Sequence, residues 1–215
     1  MNRKGTFREN VKRHILQNLF LGNYRPGDKI TEMSVAGELG VSQSVVREAF
    51  ADLRAKNILE VIPYKETRIR AFSKEEITDA ITVRMEIEEI AFRRIEKSDR
   101  DISELVSDLQ SIRNQIKTCM DTKDYLGFRE NDIAFHRRIF VDSGSPLLVH
   151  LWDILGDMGW IYLGLVMGDK NALKFGEEDR RAIYQTYGKF IQAFRAGDFR
   201  ELSRLHWELK PGFIA

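Results

Sequence analysis

The sequence predicts a mainly α chain in two parts, the first closing with a small β-hairpin and the second built from helices alone. Three observations carry that expectation. Apolar residues recur at helical spacing through most of the 215 residues. Two short β-branched runs, "ILEVI" (58–62) and "TRIRAF" (67–72), flank the charged tip "PYKE". Charge is also divided: residues 1–72 hold 13 Lys+Arg against 8 Asp+Glu (+5), and residues 73–215 hold 21 against 25 (−4). A small basic module joined to a larger acidic one points the first toward a polyanion and the second toward something else.

Residues 7–21 place Val11, Ile15, Leu16 and Leu19 at helical spacing among charges, an amphipathic helix. "YRPGDKI" breaks it with Pro-Gly turn chemistry. A short helix follows Thr31 and ends at Gly40, a residue free to adopt the left-handed conformation. Ser42 is the expected N-cap of the next helix, 43–55, with Val45, Val46, Ala49, Phe50 and Leu53 on its apolar side. Asn57 ends that helix and the hairpin follows. Helix, short helix, tight turn, helix and hairpin make a winged helix-turn-helix, with 43–55 as the recognition helix and 63–67 as the wing tip. A three-helix packing unit that meets no nucleic acid has the same periodicity.

From Ser73 onward every segment reads helical: 75–97, 99–119, 123–141, 146–167, 178–196 and 198–209, separated by "KSDRD", "DTKD", "DSGSP", "MGDKNALKFGEED" and "AGD". The expected domains are therefore 1–72 and 73–215. The single cysteine, Cys119, rules out an internal disulfide framework and fits a reducing cytoplasm. No apolar run approaches the roughly 20 residues that cross a bilayer, and the basic opening "MNRKGTFREN" has no apolar stretch after it, so neither a membrane nor a secretory leader is expected.

Polar residues that interrupt apolar stripes mark the second part. Arg84 and Glu88 fall between Ile77, Ile81, Ala91 and Ile95. A guanidinium drawn toward a core needs an anion, which is either Glu88 or a bound carboxylate. In "NDIAFHRRIF", Asp132 and His136 lie one turn apart on the stripe of Tyr125, Phe128, Phe135 and Ile139. Such a pair can share a metal ion, act as an acid and base, or hydrogen-bond within a core. No nucleophile motif or phosphate loop accompanies it, so an enzyme is not expected.

The stretch "RPGDKITEMSVAGELGVSQSVVREAFADLRAKNILEVIPYKETRI" resembles the DNA-binding domain of the GntR family of bacterial transcription regulators. "VRMEIEEIA", "NDIAFHRRIFVDSGSPLL" and "AFRAGDF" resemble the FCD ligand-binding domain of its FadR-like subfamily. The resemblance implies a cytoplasmic homodimer on a palindromic operator of double-stranded DNA, a repressor by expectation. A small metabolite in the helical domain, carboxylate-bearing by expectation, would control it. The alternative is a constitutive DNA-binding dimer whose helical domain serves assembly alone. The family's Ser-Arg-Thr-Pro turn is replaced here by Ser42, Gln43, Ser44 and Val45, so an amide suited to adenine stands where a guanidinium suited to guanine is usual. Gln43 and Ser44 are expected at base edges, Arg47 on guanine or phosphate, and Ser42, Lys65 and Arg68 on phosphates. Glu66 and Thr67 replace the family's wing glycine, and the Glu66 carboxylate repels phosphate.

For the helical domain the resemblance implies an effector pocket lined by Arg84, Asp132, His136 and Tyr187, with Arg137, Tyr162 and Tyr184 as further candidates. In metal-dependent members Asp132 and His136 would be ligands to Zn, Ni or Mn, completed by two later histidines. Tyr187 and Leu209 align with those histidines, so a divalent metal is possible but no cofactor is required. His206 lies three residues before Leu209, displaced by about 4.5 Å along the helix and some 60° around it. The expected pocket is metal-free, with Asp132 hydrogen-bonded to His136 and Tyr187 filling the vacated position.

Overall fold

The computed structural model describes residues 3–62, 66–98, 100–166 and 177–208. Its contacts group into two compact units: the chain to Ile77 with residues 157–166, and Thr78–Gly156 with residues 177–208.

In the first unit the helices α1 (Arg3–Phe20), α2 (Glu32–Leu39) and α3 (Gln43–Ala55) enclose Val11, Ile15, Val35, Val46, Ala49 and Leu53, none of them exposed. The Thr31 hydroxyl caps α2 by accepting from the Ser34 N–H at 3.1 Å. Gly40 ends α2 with φ at 63°, a conformation open to a residue without Cβ, and so turns the chain toward α3. Ser42 stands at the start of α3 as expected but makes no cap; its hydroxyl instead lies 3.0 Å from that of Ser44. His14 Nε2 and Glu38 lie 3.0 Å apart, and the Tyr24 hydroxyl donates to the same carboxylate at 3.2 Å, which ties α1 to α2.

The hairpin strands are β2 (Leu59–Ile62) and β3 (Glu66–Ile69), shorter than the β-branched runs suggest. A further strand, β1 (Lys29–Ile30), went unrecognised because two residues carry no alternation. It completes an antiparallel sheet of order β1-β3-β2, with Lys29 opposite Arg68 and Ile62 opposite Glu66. Residues 63–65 of the wing tip lie outside the described residues.

The second unit is helical. It is formed from α5 (Ser103–Thr122), α6 (Tyr125–Asp142), α8 (Glu177–Ala196) and α9 (Phe199–Glu208) with parts of α4 (Lys74–Glu96) and α7 (Pro146–Val166), both of which run through the division. Its core is aromatic: Phe92, Phe135, Phe140, Trp152, Phe190 and Phe194 are each at most 1% exposed. Each such side chain stabilises by about 1.5–3 kcal/mol through burial. Phe140 stacks on Trp152 at 5.0 Å between centroids, and Phe135 on Tyr187 at 4.0 Å. Arg113 links α5 to α8, lying 3.8 Å above the Tyr184 ring and donating to the Tyr184 carbonyl. Among the described residues, no helix is long and apolar enough to cross a membrane.

Candidate functional site

Two regions gather the residues that sequence reasoning singled out. The first is the opening of α3 with the edge of the sheet. Ser42, Gln43, Ser44 and Arg47 are exposed there, opposite the buried Val45, Val46 and Ala49. The apolar half of the helix fixes α3 against the core, so the polar half faces out. Arg47 is not free on that face. Its guanidinium meets the Glu32 carboxylate of α2, with Nε 3.1 and 3.2 Å from its two oxygens and Nη2 3.0 Å from one. On the sheet, the Arg68 Nε donates to Glu66 at 2.6 Å and Lys29 lies 3.2 Å from the same carboxylate. Glu66 therefore neutralises two cations of the wing, and those cations in turn hold its carboxyl below the ordinary range, Arg68 foremost. Lys65 lies outside the described residues.

The second region is a buried polar cluster within the helical unit. Helix α6 carries Arg129, Asp132 and His136 on one inward face at spacings of three and four. Helix α4 contributes Arg84 and Glu88, α8 contributes Tyr187, and α9 contributes His206. Glu88 is 0% exposed and Tyr187 1%, while His136 and His206 are 3%, Asp132 6% and Arg129 7%. Burying this many polar groups is tolerable only if each finds a partner.

Most do. Arg129 pairs with one oxygen of Asp132, and the Tyr187 hydroxyl donates to the other. The same hydroxyl lies 2.9 Å from His136 Nε2, and His136 Nδ1 lies 2.5 Å from Glu88. The expected direct bond between Asp132 and His136 is not made; Tyr187 bridges them, because its hydroxyl reaches both from α8. The Arg84–Glu88 hydrogen bond expected as one reading of α4 is also absent among the described residues. Glu88 turns to His136, and Arg84 lies over the Trp152 ring at 4.9 Å.

A phenol has one proton, and it goes to Asp132, which as a carboxylate only accepts. The two nitrogens of His136 are taken up by the Tyr187 oxygen and the Glu88 carboxylate. Burial works to raise the Glu88 carboxyl, but the neighbouring His136 and His206 rings and the His136 hydrogen bond outweigh it and bring it to about 2. Asp132 is likewise lowered against its own burial, by Arg129 first and then His136. Burial and the neighbouring Asp132 push Tyr187 well above the ordinary phenol range, so it stays a donor. The two carboxylates thus stand against the Arg129 guanidinium and the His136 ring.

Arg84 is left over. It is half-buried, and among the described residues it makes no hydrogen bond or ion pair. Arg129 Nε is buried without a hydrogen-bond partner among the described residues, and one further pair is unsatisfied. His206 Nε2 donates to the Met85 carbonyl at 3.2 Å, and burial holds this ring below its ordinary pKa. Its Nδ1 then faces Glu88 Oε2 at 3.6 Å, and neither atom has a hydrogen-bond partner among the described residues.

As arranged, these residues do not fit a divalent ion. Both oxygens of Asp132 and both nitrogens of His136 are engaged, and a guanidinium stands against Asp132. No group of three His, Cys, Asp or Glu residues among the described residues has metal-binding geometry. Leu209 and the Tyr162 side chain lie outside the described residues. Arg137 is exposed and paired with Asp153, away from the cluster, and Tyr184 sits with Arg113. Sequence reasoning set His206 aside and missed Arg129, yet both belong to the cluster. The signal for Arg129 was available: it is four residues after Tyr125 and three before Asp132, on the stripe that flagged Asp132 and His136.

Comparisons with known proteins agree with this anatomy. Residues 7–69 match the family described as bacterial regulatory proteins, gntR family, and residues 79–209 match the FCD domain. A "Probable D-xylose utilization operon transcriptional repressor" of Paenarthrobacter nicotinovorans is 26% identical, over 90% of this chain and 80% of its own length. The gluconate operon transcriptional repressor of Bacillus subtilis (strain 168) is 28% identical, over 82% of this chain and 71% of its own. Among solved structures, E. coli McbR/YncC superposes with a TM-score of 0.77 at 19% identity, covering 97% of this chain and 93% of that one.

Proposed function

The chain belongs to the FCD-domain regulators of the gntR family, and from that premise we propose a transcriptional repressor released from its operator by a small carboxylate-bearing metabolite. The observation that carries the metabolite's chemistry is Arg84. It stacks on Trp152 beside the cluster and makes no hydrogen bond or ion pair among the described residues, so its donors remain for an anion. A carboxylate offers a guanidinium two parallel hydrogen bonds, and the surrounding burial strengthens them. Glu88 Oε2 and His206 Nδ1 both lack a donor, and a hydroxyl on the same ligand would supply one to either of them. A hydroxy acid answers Arg84 and one of these two acceptors.

DNA contact falls to the exposed face of α3 and to the wing, with Gln43 and Ser44 reading base edges and Arg47, Ser42, Lys65 and Arg68 holding phosphate. A cytoplasmic homodimer would set two such modules on the halves of a palindrome. The constitutive dimer is the less favoured reading, since the FCD match spans the helical unit and Arg84 is left unmatched within it.

The test combines a fluorescence-anisotropy titration of the protein's own upstream DNA with a thermal-shift screen of small hydroxy acids. An acid that raises Tm is expected to weaken DNA binding, and Arg84→Ala is expected to lose both responses while still binding DNA. An acid that raises Tm equally in Arg84→Ala, or leaves DNA affinity unchanged, sinks the reading.

A further inference from the structure

Asp132 and His136 are the residues through which the family resemblance implies a shared divalent ion, and here they are joined without one. We infer that the Arg129 guanidinium has taken over that ion's place: a cation carried by the chain itself, seated on Asp132, with the Tyr187 hydroxyl closing the link to His136.

A metal in such a position does two things: it neutralises buried carboxylates, and it fastens side chains from different helices to one point. Arg129 performs the first. It lies on the same face of α6 as Asp132, three residues earlier, and it is buried with it. Tyr187 and Glu88 perform the second. The chain of bonds Arg129–Asp132–Tyr187–His136–Glu88 runs through α6, α8 and α4, so three helices are fastened by hydrogen bonds where coordination would otherwise fasten them. His206 of α9 faces the end of that chain at 3.6 Å from Glu88.

The replacement also excludes the ion. Adding a divalent charge beside the Arg129 guanidinium would set two cations against one carboxylate whose two oxygens are already engaged. Both nitrogens of His136 are engaged as well, so an ion would have to break the bonds to Tyr187 and Glu88 to reach it. The cluster is therefore a metal-independent version of a metal-binding pocket. The inference rests on this geometry and needs no effector.

Two measurements test it. Purified wild-type protein is assayed for bound metal by mass spectrometry, then dialysed against EDTA and titrated with Zn, Ni or Mn while Tm is followed. Sub-stoichiometric metal and a Tm insensitive to both EDTA and the three ions are expected. The double variant Arg129→Ala with Tyr187→His removes the guanidinium and supplies an imidazole lone pair. It is expected to gain a metal-dependent rise in Tm of about 5–10 °C, the size that saturating binding gives a protein of this length. Stoichiometric metal in the wild type, or a wild-type Tm rise with metal that Asp132→Ala abolishes, overturns the inference. So does a folded double variant that ignores metal; if that variant does not fold, the wild-type measurements decide alone.

Discussion

Tyr187 holds together two residues of α6 that do not touch through their own polar atoms, and its ring is at the same time stacked on Phe135. Tyr187→Phe keeps the stack and removes only the hydroxyl. Asp132 Oδ1 and His136 Nε2 are then left buried without that partner, at a cost of about 1–3 kcal/mol. For a protein of this size the expected fall in Tm is roughly 3–10 °C, measured by calorimetry or circular dichroism. Tyr184→Phe is the control, since its ring contact with Arg113 survives the change. A Tm unchanged in Tyr187→Phe would mean the bridge contributes nothing. At this scale the sequence was legible where a polar residue broke an apolar stripe, which identified Arg84, Glu88, Asp132 and His136. It was not legible in partner choice. Whether Glu88 bonds Arg84 on its own helix or His136 on another depends on how α4 packs against α6, and a one-dimensional pattern carries no such distance.

Among the elements, the recognition helix and wing present their cations already paired. Glu66 holds Arg68 and Lys29 across β3 and β1, and Glu32 holds Arg47 across α2 and α3. Binding DNA from this state exchanges a carboxylate for a phosphate, so the gain per contact is reduced by the ion pair that is given up. Exposed pairs of this kind are weak in water, so the exchange is feasible. Glu66→Gln removes the competing charge. Operator affinity is expected to rise, and the slope of log K against log salt is expected to steepen by about one, as one more phosphate contact is made. An anisotropy series across salt concentrations measures both, and an unchanged slope would show that neither Arg68 nor Lys29 reaches DNA. The helices and the hairpin were readable because each repeats its period over several residues. The two-residue β1 was not, and it is the strand that carries Lys29 to Glu66.

For the whole molecule, the division of labour proposed above follows from charge: a basic module for a polyanion, and an acidic helical module whose Arg84 makes no hydrogen bond or ion pair among the described residues. Such a repressor works only if ligand and DNA prefer different states of the protein, and the preference is then reciprocal. A metabolite that weakens operator binding by some factor must itself bind more weakly, by the same factor, to the operator-bound protein. Factors of about 5–150 are typical, equivalent to 1–3 kcal/mol of coupling. Titration calorimetry of the metabolite into free protein and into the saturated operator complex gives one side of that equality. Anisotropy of labelled operator with and without saturating metabolite gives the other. Arg84→Ala is expected to reduce metabolite affinity while leaving operator affinity without metabolite within about twofold of wild type, because the DNA-reading residues belong to the other unit. Metabolite affinities that are equal for free and operator-bound protein would mean that the ligand does not regulate. The helical module would then be an assembly device that happens to bind an acid.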